Sequence, residues 1–197
     1  MLAPAHERAG AGYSEPSDGE PALGFSWTSR PVAPTRREVI VKHDQIKIRR
    51  ESPVSDLASE LLRRYFAELA ERLPEGFDPG EKAETERVEY QAPSGVYLVV
   101  FVDDRAAGCG ALRRFDAGTA EVKRMWVEPS ARGHGVGHRL LEELEVLGRQ
   151  LGYQALCLDT SAHLPEAIAL YRSSGFEEVD DYNGNPDAAY WFRKSIG

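Results

Sequence analysis

Arg132 is followed at once by three glycines at alternate positions, Gly133, Gly135 and Gly137, and then by a stretch with helical spacing. A helix N-terminus presents backbone N–H groups without intrahelical partners and carries a partial positive charge. Glycines lack the Cβ atoms that would keep an anion from those donors, and an arginine adds a charge suited to phosphate oxygens. The pattern therefore predicts an anion site, with a pyrophosphate as its natural ligand.

Other readings of the same stretch are less well matched. A P-loop needs GxxxxGK[ST], and both the lysine and the hydroxyl are missing here. A dinucleotide-binding fold has GxGxxG directly after its strand, whereas residues 128–131 intervene in this chain. His134 and His138 are four residues apart, but neither an HExxH pattern nor a third ligand accompanies them, so no metal is predicted. A glycine-rich turn with a purely structural role remains an alternative.

The elements that would position this turn follow from hydrophobic spacing. Residues 45–50 alternate like a strand, and residues 95–115 contain two β-rich runs joined as a hairpin at residues 103–106. Residues 116–129 supply a second turn and a third strand, residues 154–160 a short buried strand and residues 188–195 a last strand. Helical spacing occurs from Leu57, Val136 and Pro165. This order predicts an α/β (α+β) fold with a mixed, mainly antiparallel central sheet flanked by helices. Ligands in such sheets usually bind where a strand ends and a helix begins, which is where the glycine turn lies.

Composition sets the wider expectations. The 197 residues are enough for one folded domain, which we expect over residues 45–197, and residues 1–44 have the mixed polar composition of a disordered tail. A net charge of -8 makes nucleic acid a poor partner. No apolar run approaches the ~18 residues of a membrane span. Cys109 and Cys157 are isolated in apolar runs, which suggests a reducing, cytoplasmic setting.

Two longer stretches, VKRMWVEPSARGHGVGHRLLEELE and LDTSAHLPEAIALYRSSGFEEV, resemble the GNAT family of N-acetyltransferases. The family motif [QR]xxGx[GA] is met by residues 132–137, and the similarity runs from about Gln45 to the C-terminus. The chain is also similar to the acetyltransferase half of bacterial proteins that fuse a MarR-type DNA-binding domain to this fold. The resemblance implies that acetyl-CoA is the ligand, and it implies these coenzyme contacts: Met125, Trp126 and Val127 for the pantetheine arm, and Arg132, Gly133, His134, Gly135, Val136, Gly137 and His138 for the pyrophosphate.

The resemblance also implies catalytic roles. A primary amine with a pKa of ~10 is mostly protonated at neutral pH, so a base must help it to attack. Glu121 matches the strand carboxylate that often serves as this base, and Asp159 is the alternative. Tyr171 matches the helix tyrosine that the family places beside the coenzyme sulfur as general acid. Family members often have Asn seven residues before this tyrosine, where this chain has Leu164.

The acceptor is left open by the sequence. Acidic residues in segments 76–86 and 180–192 favour a cationic amine, whereas Arg124, Tyr182 and Asn183 are candidates for binding a carboxylate. A free amino acid, a small amine, a protein lysine and a protein N-terminus all remain possible acceptors. The main prediction is an acetyl-CoA-dependent N-acetyltransferase that uses no metal. The rival predictions are a non-catalytic acyl-CoA-binding sensor and an interaction module acting through residues 23–27, and a homodimer is compatible with each.

Overall fold

The computed structural model describes residues 45–197, so the predicted tail of residues 1–44 lies outside the described residues. The strands are β1 (Ile46–Arg50), β2 (Val96–Val102), β3 (Arg105–Arg114), β4 (Thr119–Val127), β5 (Ala155–Thr160), β6 (Glu177–Val179) and β7 (Tyr190–Ser195). The α-helices are α1 (Asp56–Arg72), α2 (Gly80–Glu86), α3 (Val136–Gln150) and α4 (Pro165–Ser173). Within this part of the chain, no helix is long and apolar enough to cross a membrane.

The seven strands form one sheet in the order β1-β2-β3-β4-β5-β7-β6. Among the described strands, β4 and β5 are parallel neighbours and every other neighbouring pair is antiparallel. Asp103 and Asp104 join β2 to β3 with φ of 50° and 61°, the backbone of a tight two-residue hairpin. The predicted mixed, mainly antiparallel sheet is confirmed.

Helices α3 and α1 cover opposite faces of the sheet. The α3 residues Leu140 and Leu144 pack in a core cluster with Leu98 of β2, whereas Leu61 of α1 packs in a second cluster with Val99. Neighbouring residues of a strand point to opposite faces, so the two clusters lie on either side of β2. The helical spacing seen in the sequence therefore corresponds to two separate buried stripes.

Two short elements were not predicted from the sequence. Residues 76–86, expected to be a loop, contain α2, and β6 adds a three-residue edge strand after α4. Neither element is long enough to display a hydrophobic period, because α2 has seven residues and β6 has the sequence EEV.

The sheet opens between β4 and β5. Their pairing joins Thr119 to Glu121 on β4 with Ala155 to Cys157 on β5, and within the described residues the two strands are not paired beyond these positions. On its other side β4 is bulged, with a register shift against β3 and a φ of 57° at Arg124. The separation and the bulge bring side chains of α1, β4, β5 and α4 around a common space.

Candidate functional site

Two clefts lie where β4 and β5 separate. The first cleft, of about 510 Å³, is lined by α1, the end of β4, the turn of residues 132–138 and α4. The second cleft, of about 420 Å³, is lined by the end of α1, residues 77–79, the middle of β4, the end of β5 and residues 183–188. Six residues line both clefts, namely Tyr65, Leu69, Met125, Leu164, Ala167 and Tyr171. These six form the junction at which ligands of the two clefts would meet.

The glycine turn has the open backbone expected of an anion site. Gly133 and Gly135 have φ of 80° and 76°, and a Cβ at either position would meet no atom within 4 Å. Backbone conformation, rather than crowding, therefore requires glycine at these two positions. Gly135 caps α3 without a side-chain hydrogen bond, so backbone N–H groups of the first turn have no helical partner. Gly133, Gly135, Val136, Gly137 and His138 line the first cleft, whereas His134 is not among its lining residues.

Arg132 lines the first cleft, but its guanidinium is already paired. Its Nη2 lies 2.5 Å from Oε2 of Glu68, and its Nε donates to the carbonyl oxygen of Val127 at 2.8 Å. Burial would raise the pKa of Glu68, but hydrogen bonds from Arg132, Trp126 and Arg72 outweigh it and hold that pKa below its ordinary value. The charge of Arg132 is therefore balanced by a carboxylate of the protein itself.

Four charged side chains form a ring across the first cleft, comprising Glu68, Arg72, Arg132 and Glu166. Arg72 pairs with Glu68 at 3.1 Å and forms two contacts with Glu166, one of them at 2.9 Å. Arg132 completes the ring, with Nη1 lying 3.7 Å from Glu166. A hydrogen bond from Arg72 lowers the pKa of Glu166. The ring thus connects α1, the glycine turn and α4.

The end of β4 forms the wall of the first cleft. Met125, Trp126 and Val127, for which the family resemblance implies contact with the pantetheine arm, all line it. Trp126 is 6% exposed, and its Nε1 donates to Glu68 at 2.8 Å. Because β5 has separated from β4 at this point, the strand offers a backbone edge along which an extended ligand can lie.

Glu121 lies beneath the second cleft rather than in its wall. It is 1% exposed and lines neither cleft. Arg113 donates to its Oε2 at 2.7 Å, and Tyr182 and Asn183 donate to its Oε1 at 3.2 and 3.4 Å. This placement keeps Glu121, predicted to be the base, out of the walls of both clefts. The strand pattern could not reveal it, because its partners come from distant parts of the chain.

Asp159, the alternative base, does line the second cleft. It lies 3.4 Å from Nζ of Lys123 and accepts a hydrogen bond from the side-chain amide of Asn183. Asn183 also lines this cleft, but Tyr182 does not. Tyr182 and Asn183 were predicted to bind the acceptor. In the structure the hydroxyl of Tyr182 donates to Glu121, and the side-chain amide of Asn183 donates to both Glu121 and Asp159.

Tyr171 and Tyr65 are the junction residues that carry hydroxyl groups. Burial raises the pKa of Tyr171, and the proximity of Tyr65 and Asp159 adds to the rise. Burial also raises the pKa of Tyr65 to about 12, although the charge of Arg124 opposes it. Sequence analysis did not assign a function to Tyr65, because its helical spacing is that of a core stripe. The hydroxyl group of Tyr65 within an otherwise apolar stripe was the sequence feature that could have marked it as a site residue.

Arg124 lines the second cleft at the bulge of β4. Its Nη2 lies 3.3 Å from Oε2 of Glu86, and its guanidinium lies over the ring of Phe66, 5.0 Å from the centroid. The Nε atom is buried and has no hydrogen-bond partner. Of the three residues predicted to bind the acceptor, Arg124 is the cation in the cleft wall.

Comparison with known proteins gives consistent matches. The model of the "Acetyltransferase (GNAT) family" matches residues 58–176. A protein of Azospirillum brasilense named "IAA acetyltransferase" is 36% identical over 138 residues, which cover 68% of this chain and 85% of that protein.

Solved structures share the fold. A GNAT family acetyltransferase of Staphylococcus aureus Mu50 has a TM-score of 0.66 at 15% identity, covering 77% of this chain and 99% of the other. A GNAT family acetyltransferase of Elizabethkingia anophelis, solved with acetyl-CoA bound, has a TM-score of 0.57 at 18% identity, with coverage of 77% and 99%. At these identities the likeness shows the fold alone. The similarity to MarR fusion proteins stays a prediction.

Proposed function

Because this chain belongs to the acetyltransferase (GNAT) family, we propose that it moves the acetyl group of acetyl-CoA directly to a primary amine, with a carboxylate as base and a tyrosine as proton donor. One observation carries the proposal. Two clefts of different character meet at a junction that contains Met125 and Tyr171. Such an arrangement allows a thioester in one cleft to face an amine in the other, which is what direct transfer requires.

The first cleft suits the coenzyme. Backbone N–H groups between Gly133 and His138 would hold the pyrophosphate, and the free edge of β4 beside Met125 and Val127 would hold the pantetheine arm. The fit rests on the turn itself, because Gly133 and Gly135 leave open space where side chains would stand. We propose that Arg132 acts mainly by fixing the turn to α1 through Glu68.

In the second cleft we assign the role of base to Asp159, because it lines the cleft and Glu121 does not. Glu121 instead holds Arg113, Tyr182 and Asn183 in place beneath the acceptor. Asp159 would take a proton from the acceptor ammonium, directly or through water, so that the neutral amine attacks the thioester carbonyl. The backbone N–H of Trp126 or Val127 is the candidate donor to the carbonyl oxygen.

Tyr171 is the proposed donor to the departing sulfur. Burial raises its pKa, so its phenol stays protonated at neutral pH and can donate a hydrogen bond to a thiolate. The rival sensor function would use the first cleft without this chemistry. The rival interaction module depends on residues 23–27, which lie outside the described residues. Since both cysteines are buried free thiols, we also propose a reducing, cytoplasmic setting.

Calorimetric titration of acetyl-CoA into wild type, Gly135→Glu and Gly135→Gln tests the coenzyme site. Both variants place a side chain of similar size at a φ of 76°, so they share the backbone strain and differ in charge. We expect Gly135→Glu to bind much more weakly than Gly135→Gln, because a carboxylate at the turn repels phosphate. Equal affinities of the two variants for acetyl-CoA, with both folded by circular dichroism, would show that the coenzyme does not bind at this turn.

A measurement of turnover then distinguishes an N-acetyltransferase from a non-catalytic acyl-CoA-binding sensor. Release of free thiol from acetyl-CoA in the presence of amines should depend on Asp159 and Tyr171. A protein that binds acetyl-CoA tightly but releases no thiol with any class of amine would be a sensor.

A further inference from the structure

The cations of the second cleft differ in how completely they are paired. Arg113 pairs with three carboxylates and Lys123 with two. Among the residues whose side chains the structure describes, Arg124 has a single carboxylate partner, Glu86, at 3.3 Å. Glu86 is shared with Arg113 at 3.2 Å. Arg124 is therefore the cation of this cleft with the least complete charge compensation.

The surroundings of Arg124 leave its hydrogen-bonding capacity partly unused. Phe66 covers one face of the guanidinium, and 11% of the side chain is exposed. The Nε atom of Arg124 is buried and has no hydrogen-bond partner among the described residues. A buried donor without a partner is costly, and a guanidinium suits paired bonds to a carboxylate.

Arg124 is also placed beside the reacting position. It directly precedes Met125 of the junction, and the φ of 57° at the bulge sets it apart from the regular strand. Asp159 lines the same cleft and interacts electrostatically with both junction tyrosines. A cation and a carboxylate thus lie on the acceptor side of the junction, each next to the point of transfer.

Resting on the function proposed above, we propose that the acceptor is a small free amino acid or a close analogue, with its carboxylate held by Arg124 and its amine directed to Asp159 and the junction. The rest of the acceptor would lie along the apolar part of the cleft, which includes Leu73, Phe77 and Pro186. A lysine side chain within a protein has no carboxylate near its amine, and a simple alkylamine has none at all. Neither of these acceptors would use Arg124.

Matched acceptors test the class directly. For several side chains, including that of phenylalanine, thiol release from acetyl-CoA is measured with the L-amino acid, its carboxamide and the amine that lacks the carboxylate. A lysine-containing peptide with blocked termini completes the set. We expect kcat/KM for the amino acid to exceed that of each analogue by at least about tenfold, because the analogues offer Arg124 no carboxylate beyond that of Glu86. The carboxamide has the less basic amine, so greater availability of neutral amine cannot explain a preference for the acid.

Variants assign the preference to Arg124. Arg124→Gln should raise KM for the amino acid more than it lowers kcat, and should abolish the preference over the carboxamide. Arg124→Lys should keep part of it, because the charge remains and the paired geometry is lost. Arg114→Gln, at an exposed arginine of β3 outside both clefts, is the matched control. Unchanged acetyl-CoA affinity and circular dichroism confirm that each variant is folded.

The outcomes separate this proposal from the function on which it rests. Equal rates for acid, carboxamide and amine, preferential use of the peptide lysine, or a preference that survives in Arg124→Gln would each overturn the amino-acid proposal while leaving an N-acetyltransferase. Thiol release with no class of amine, peptides with a free N-terminus included, despite binding of acetyl-CoA, would overturn both.

Discussion

Two phenols lie at the junction, so two groups are placed to donate a proton to the departing sulfur of the coenzyme. Tyr171 lies on α4 and Tyr65 on α1, and both line both clefts. Each is kept protonated by burial, which raises both pKa values. The family resemblance points to Tyr171 alone, whereas the geometry gives Tyr65 access to the same space. A second donor opposite the first would stabilise a developing charge from another direction.

Replacing each phenol by phenylalanine measures its contribution. We expect Tyr171→Phe to lower kcat by roughly 10²-fold, the low end of the range for positioned proton donors, and Tyr65→Phe to lower it by about tenfold, the effect of losing one hydrogen bond. If both hydroxyls serve the same atoms, the double variant will lose less than the product of the two effects. Steady-state kinetics with saturating acetyl-CoA provides the measurement, and Tyr190→Phe, outside both clefts, is the control. Full activity in Tyr171→Phe would contradict its role as donor.

The carboxylates Glu121 and Asp159 can be told apart by what their loss affects. Asp159→Asn should lower kcat by about 10²-fold, because a base that touches the acceptor is lost. Glu121→Gln should lower the free energy of unfolding by about 3 kcal/mol, because Arg113 would lose the most buried of its three carboxylate partners. Steady-state kinetics and urea unfolding of both variants distinguish the roles. A larger loss of kcat in Glu121→Gln than in Asp159→Asn, with both variants folded, would return the role of base to Glu121.

At the scale of elements, sequence analysis predicted the features that are encoded locally. The glycine turn before α3, the hairpin at Asp103 and Asp104, and the amphipathic stripes of α1 and α3 each follow from neighbouring residues. Those elements and the mixed sheet are present in the structure. Short elements such as α2 and β6 were not predicted, because they are too brief to show a period.

The parts of the site that escaped prediction depend on partners that are distant in sequence. The partner of Arg132 is Glu68, which is 64 positions away, and the hydroxyl that reaches Glu121 belongs to Tyr182, 61 positions away. The alternation of residues along β4 places Glu121 on one face of the strand. It does not reveal that other side chains bury Glu121 on that face. The glycine pattern and the family resemblance therefore supplied the candidate residues, and tertiary pairing determined which of them line the clefts.

The charged ring of Glu68, Arg72, Arg132 and Glu166 joins three elements around the first cleft. Glu166→Gln leaves the ring with a net positive charge, so we expect acetyl-CoA to bind about two- to fivefold more tightly at low salt, with the gain falling as salt screens it. The free energy of unfolding should fall by no more than about 1 kcal/mol, since the pair is partly exposed. Calorimetric titration at two salt concentrations measures the first effect.

Glu178→Gln is the matched control for this change. Glu178 pairs with Arg172 of α4 at 2.8 Å and lines neither cleft, so its replacement removes the same charge away from the ring. If the two variants change the affinity for acetyl-CoA equally, the ring does not face the phosphates.

For the whole molecule, the separation of β4 from β5 determines how the parts cooperate. The sheet stays continuous through the paired residues 119–121 and 155–157, while its open end admits ligands from two sides. Helix α1 closes both clefts, since Tyr65 and Leu69 line each of them. The attachment of α1 to the turn and to α4 is therefore important for stability as well as for binding, and that attachment is largely ionic.

An ionic attachment of this kind makes the fold sensitive to acid. The pKa values of Glu68 and Glu166 are both lowered from the ordinary value of 4.5. A carboxyl with a lowered pKa in the folded state contributes stability above its ordinary pKa and loses it as the pH falls through the lower, folded value. We therefore expect the free energy of unfolding to decline below about pH 4.5.

Replacing Glu68 tests the origin of this acid sensitivity. Glu68→Gln should cost about 1–3 kcal/mol at pH 7, because it leaves its donors with weaker acceptors, and it should reduce the decline at low pH. Urea unfolding at pH 7, 5 and 4 gives both quantities. Glu71→Gln, at an exposed position of α1, serves as the control. An acid decline as steep in Glu68→Gln as in wild type would show that the acid sensitivity arises elsewhere.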